Sequence, residues 1–167
     1  MHLHFWFNIR QNSEGAPMRN KTCFMFGHAT APEETVSLIE AAAEKHYHKY
    51  GIHTFIVGNH GSFDSYARIA ITRLKERYSD ISLLLLLAYH PSVKRISLPI
   101  GFDQSYYPPI ENVPKQYAIV RANQYLVKES DSIICFVIHP GNSRNLLEYA
   151  RRCQSKKELI IENIHVK

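Results

Sequence analysis

Four histidines stand directly behind apolar runs, in the stretches "GHATAPEE", "GNHGSFD", "AYHPS" and "IHPGNS": His28, His60, His90 and His139. Two of these stretches open with glycine, Gly27 and Gly58, which lets a backbone approach a ligand closely. The last belongs to "FVIHPGNSRNLLEYA", residues 136–150, where an apolar run passes through a Pro-Gly-Asn turn into an amphipathic segment carrying Glu148. Strand, tight turn and helix in that order aim free backbone N–H groups and the positive end of a helix dipole at an anion. The chemistry this suits is recognition of a phosphorylated small molecule. Candidate contacts are Gly27, His28, Gly58, Asn59, His60, Gly141, Asn142, Ser143 and Arg144. Arg144 either gives phosphate a charge-assisted hydrogen bond or is a solvated helix arginine. His60 and His90 are equally well read as turn residues bonding local backbone. No H-x-x-x-H or H-E-x-x-H spacing occurs, so no metal site is expected. His46 and His48 lie two apart on a helical segment and face different ways.

These residues need a scaffold, and the pattern from residue 21 onward alternates strand and helix. "KTCFMF" (21–26), "HTFIVG" (53–58), "ISLLLLLAY" (81–89), "SIICFVIH" (132–139) and "ELIIENI" (158–164) read as five strands. "ISLLLLLAY" lacks polar alternation, as expected of a strand covered on both faces. Val36, Ile39, Ala43 and Tyr50 recur at helical spacing and predict a helix over 32–50. Thr30 and Glu33 have capping-box spacing ahead of it, and Gly51 ends it. Further helices are predicted over 62–78, 118–128 and 143–153. The segment between Tyr89 and Tyr117 holds five prolines and no clear period, yet its aromatic residues favour an ordered cover over a linker. The expected fold class is α/β: a single three-layer Rossmann-like domain with a mainly parallel sheet of about five strands. Ligands in such folds sit beyond the carboxyl ends of the strands, where strand order reverses. The first and fourth strands should be neighbours there, which singles out His28 and His139. The loops at 27–30, 58–61 and 138–144 are expected to line one pocket, with 89–117 as part of its wall.

The bulk numbers narrow the class. At 167 residues the chain suits one domain, and 45% hydrophobic against 21% charged residues reads as soluble and globular. No apolar run is long enough to span a bilayer. Three cysteines with no C-x-x-C point to a reducing compartment, read here as the cytoplasm. The net charge of +5 is spread over scattered Lys and Arg residues, without the basic stripe and interleaved aromatics of a nucleic-acid surface. "MHLHFWFNIR" is a poor signal peptide, and residues 1–20 are expected to be a peripheral extension ahead of a domain spanning 21–167.

Several stretches together resemble a known superfamily. "PGNSRNLLE" (140–148) is similar to the P-G-G-x-G-T-x-x-E signature of the LOG-type phosphoribohydrolases, with Pro140, Gly141 and Glu148 in register. Asn142, Arg144 and Asn145 replace a glycine, a glycine and a threonine. "KTCFMFGHATAPEE", "TFIVGNHGSFD", "LAYHP" and "ENVPKQYAIVRANQYLV" resemble a bacterial branch of the same superfamily, SLOG, named after the Smf/DprA and LOG proteins. The resemblance covers about residues 18–165. In that branch the first loop usually carries a cation after G-H, which Ala29 removes here.

The resemblance implies a Rossmann-like domain that binds nucleotides or nucleotide-derived ligands. It implies that the Gly141 turn cradles phosphate and that Glu148 contacts the ribose and stabilises oxocarbenium charge. Three functions follow. The first is a sensor or binding domain for a nucleotide-derived small molecule, which accommodates the altered signature. The second is a hydrolase or transferase cleaving a nucleoside monophosphate N-glycosidic bond through Glu148, helped by His28, His139 or Asp64. The third is a DNA-handling module. No cofactor and no membrane partner are expected, and a homodimer is left open.

Overall fold

The computed structural model describes residues 20–165. The extension expected over 1–20, with His2 and His4, lies outside the described residues apart from Asn20. These described residues form one sheet of six parallel strands with four helices: β1 (Lys21–Gly27), α1 (Thr35–Tyr50), β2 (Ile52–Val57), α2 (Ser62–Arg77), β3 (Ser82–Leu86), β4 (Gln104–Tyr106), α3 (Ala118–Glu129), β5 (Ser132–Phe136), α4 (Asn142–Gln154) and β6 (Ile160–Asn163). A 3-10 turn at Lys115–Tyr117 leads into α3.

The sheet order is β4-β3-β2-β1-β5-β6. The chain steps outward from β1 to β4, then returns to lay β5 against the other side of β1. Right-handed crossovers in the two directions put α1 and α2 on one face and α3 and α4 on the other. Each pair packs together. Both faces are therefore covered, which is why β5 is buried along its whole length and β1 at all but its end residues. Phe24, Phe55, Leu83 and Ile133 form the middle of the core, all at most 1% exposed. Each large apolar side chain so buried contributes roughly 1.5–3 kcal/mol.

Two expectations need correction. The sheet has six strands, because Gln104–Tyr106 pairs with Leu84–Leu86 inside the segment read as irregular. Three residues are too short for a pattern, and the pairing is secured by one side chain. Asp103 accepts from Leu83 N (2.8 Å) and from Lys75 Nζ (2.7 Å), while its own N–H donates to Leu83 O (2.9 Å). The first helix starts at Thr35 rather than 32. Residues 33 and 34 form a turn, with Thr35 N donating to Pro32 O and Val36 N to Glu33 O, and no side chain caps the helix. Gly51 ends α1 in the left-handed region at φ 69° as its type requires.

One polar cluster lies inside the core. His46 of α1 is fully buried, with Nδ1 3.0 Å from Ser132 Oγ and Nε2 2.9 Å from Glu162 Oε1. Lys45 Nζ holds the other carboxylate oxygen at 2.7 Å. Burial lowers the His46 pKa more than Glu162 raises it, so the ring is neutral. Nε2–H donates to the carboxylate, and Nδ1 accepts the serine hydroxyl. Burial acts to raise the Glu162 carboxyl, but hydrogen bonds from Lys45 and His46 outweigh it and hold the group below its ordinary value. The cluster ties α1 to β5 and β6. His48, two residues on, points outward to the Tyr78 hydroxyl (2.8 Å).

Candidate functional site

β1 and β5 run side by side to the carboxyl edge, with Gly27 opposite Phe136. Their exit loops therefore meet at the point where strand order reverses. A Cβ on Gly27 would stand 2.6 Å from the Phe63 ring, so glycine is required here for close packing. His28 follows and is buried. Its Nε2 accepts from Ile138 N (2.9 Å) and His139 N (3.3 Å). Burial, and then the charges of His139 and Arg144, lower its pKa, which fits a neutral ring protonated on Nδ1. The His139 ring stacks on it, with centroids 3.6 Å apart and planes within 8°. From the other side, the Asn163 side chain of β6 accepts from Val137 N and donates to Val137 O, both at 2.9 Å. His28 and Asn163 together fix the β5 exit.

That exit turns at Gly141, whose φ of 140° and ψ of −165° belong to a region open essentially only to glycine. Asn145 N closes the first helical bond of α4 onto Gly141 O. The N–H groups of Asn142, Ser143 and Arg144 consequently lie outside the helical ladder. On the β2 side, Asp64 occupies the first turn of α2, and its Oδ2 accepts from His60 N at 2.9 Å. Burial pushes the Asp64 carboxyl above its ordinary value, against the pull of that N–H.

These elements surround a cleft of about 420 Å³. Its floor is β1 from Phe24 to Gly27. One side is Gly58, His60 and Asp64. The other is the face of α4 carrying Asn142, Asn145, Tyr149 and Arg152, with Ser143 and Leu146. The start of α3 closes it with Ile119, Val120, Asn123 and Gln124.

Of the residues singled out from sequence, Gly27, Gly58, His60, Asp64, Asn142 and Ser143 come together in this cleft. The others do not line it. His28 is buried behind it as a support for the turn. His139 and Gly141 are exposed on the turn, and His139 Nδ1 is 2.9 Å from Pro140 O. The Arg144 charge is felt at His28, and the buried Nε of Arg144 is without a partner among the described residues. Glu148 is exposed and forms no ion pair with Arg144 among the described residues. Asn59 faces a separate cavity of about 150 Å³ at the β3 exit, where Lys94, Ile96 and Pro99 contribute. The long loop expected as a wall of the main cleft thus walls this smaller cavity instead, and His60 borders both. His90 is a turn residue, with Nδ1 2.6 Å from Ser92 Oγ.

The contributions of α3 and of Tyr149 and Arg152 went unread in the sequence. The signal was present: Asn142, Asn145, Tyr149 and Arg152 are spaced by three and four, as are Ile119 and Val120 with Asn123 and Gln124. Among the described residues no group of three His, Cys, Asp or Glu side chains is placed to hold a metal ion. No described helix is long and apolar enough to cross a membrane. No protein-family model matches this chain, and no curated protein matches its sequence.

Proposed function

We propose that the cleft binds a nucleotide or nucleotide-derived small molecule and that the protein acts as a sensor or binding domain. The observation that carries this reading is the conjunction, in one cleft, of free α4 N–H groups and an apolar strip that solvent still reaches. Ile119 and Val120 are 39% and 52% exposed on the cleft wall, an unfavourable position that a flat heterocycle would relieve. Phosphate belongs at Asn142 and Ser143, where N–H groups and the helix dipole favour negative charge. The base belongs against Ile119, Val120 and Tyr149. A volume of about 420 Å³ falls in the range of small-molecule sites, roughly 300–1,000 Å³. The resemblance to SLOG domains supports the same ligand class.

A hydrolytic reading has one observation in its favour, the desolvated Asp64 carboxyl inside the cleft. Binding without turnover is preferred, because Glu148, the carboxylate that the LOG signature would bring to the anomeric carbon, is exposed and not among the lining residues. Mass spectrometry of small molecules released from the purified protein tests the proposal. A nucleotide-derived mass, returned by a thermal shift when the compound is added back, supports it. Release of free base from that compound would move the assignment to hydrolysis. Preparations carrying only sugars, lipids or peptides would overturn it.

A further inference from the structure

We propose that Asp64 reads the ligand's hydroxyl groups and makes the cleft selective for ribose over 2-deoxyribose; this rests on the nucleotide reading above. Among the described residues, Asp64 is the one carboxylate lining the cleft. Its Oδ2 is fixed by His60 N at 2.9 Å, which sets the orientation of the whole carboxylate. Its Oδ1 has no hydrogen-bond partner among the described residues and is absent from the fully buried unpaired atoms. A Cβ on Gly58 would lie 3.1 Å from Oδ2, so the β2 exit is cut back to bare backbone beside the carboxylate.

Charge decides what faces this group. A phosphate is drawn to the N–H groups at Asn142 and Ser143 and repelled by a carboxylate. The part of the ligand beside Asp64 must therefore be neutral and rich in donors. In a nucleotide that part is the sugar, which lies between phosphate and base. A sugar hydroxyl donates to Oδ1, and a second can donate to the remaining lone pair of Oδ2. A site built around a hydroxyl rejects the analogue that lacks it, because its own polar group is then left desolvated and unpaired. The rival role for Asp64 is to hold the His60 backbone at the start of α2. That role needs only Oδ2 and predicts no discrimination between sugars.

The test measures binding by calorimetry for the four ribonucleoside 5′-monophosphates, their 2′-deoxy forms, ribose 5-phosphate and 2-deoxyribose 5-phosphate. It uses the full chain and the Asp64→Asn variant, with melting temperatures as folding controls. The expected result is that at least one ribonucleotide binds at least tenfold tighter than its deoxy form, about 1.4 kcal/mol. In D64N that ratio falls to within threefold. Equal affinity for both sugars in the wild-type protein overturns the assignment without using the variant. So does a ratio kept intact in a folded D64N. If the sugar phosphates bind with tenfold discrimination and no nucleotide binds, the nucleotide reading fails and the Asp64 assignment stands. If no compound binds, both fall.

Discussion

The His46 cluster and the Asp64 cleft are both polar sites set against the same sheet, and they obey opposite rules. Around His46 each side-chain oxygen and nitrogen has a partner: Ser132 Oγ, both Glu162 oxygens, both ring nitrogens and Lys45 Nζ. Around the cleft, Asp64 Oδ1 and the first N–H groups of α4 are left without a partner among the described residues. A buried polar group without a partner costs about 1–3 kcal/mol, so the first arrangement is one a fold adopts for its own stability. The second is tolerated where solvent or a ligand supplies the missing bonds. His28 shows both rules in one residue: its Nε2 is satisfied by backbone N–H groups, and it thereby shapes a turn whose first helical N–H groups are left without a partner among the described residues.

Truncating the paired cluster should have the largest effect. His46→Ala strips partners from Ser132 and Glu162 and opens a cavity, and a loss of about 3 kcal/mol in urea-induced unfolding is expected. A loss below 1 kcal/mol would show that the cluster does not bear on stability as described. Gly27→Ala should cost about 2 kcal/mol, because its Cβ meets the Phe63 ring at 2.6 Å. Unlike the first change it should also weaken ligand binding, since Gly27 is part of the cleft floor; calorimetry on the folded fraction separates the two effects. Acid should act on the paired cluster in two steps. The folded state holds His46 neutral, so the unfolded chain binds more protons once the pH drops below the ordinary histidine value of 6.5. Stability is then fully present above 6.5 and declines below it, by up to about 1.4 kcal/mol per pH unit for one proton. Glu162, held below its ordinary value of 4.5, adds a further loss as pH falls past that point. Denaturant unfolding from pH 8 to 4 checks this, and His46→Gln should flatten the upper part of the curve. The smallest effect is expected for Glu148→Gln: stability within about 0.5 kcal/mol and ligand affinity within twofold. A tenfold loss of affinity in that variant would return Glu148 to the site.

The contrast also explains what could be read from the sequence. The strands were legible because burial on both faces writes unbroken apolar runs such as "SLLLL" and "SIICF". The position of the cleft was legible because Gly27, Gly58 and the turn before α4 fall at strand exits. β4 was not, because Asp103 secures it through contacts with Leu83 and Lys75 that are remote in sequence. The His46 cluster was hidden for the same reason: its partners are 86 and 116 residues away. Around the cleft, geometry adds what residue type does not show. The Nε2 of His28 accepts from the backbone N–H groups of Ile138 and His139. Glu148 lies in signature register, yet Asn145 and Tyr149 hold the cleft face of the same helix.

The central claim is that a nucleotide-derived molecule binds across the β1, β2 and β5 exits with its phosphate on the α4 N-terminus. The most direct measurement is an amide ¹H–¹⁵N NMR titration of the labelled protein with the ribonucleoside 5′-monophosphates. The account predicts that at least one causes saturable shifts in the backbone amides of Asn142 and Ser143, together with those of Gly27, Gly58 and His60. Shifts confined to the opposite edge, around Lys21, Asp131 and Ile160, or no saturable shift with any of the four, would contradict it.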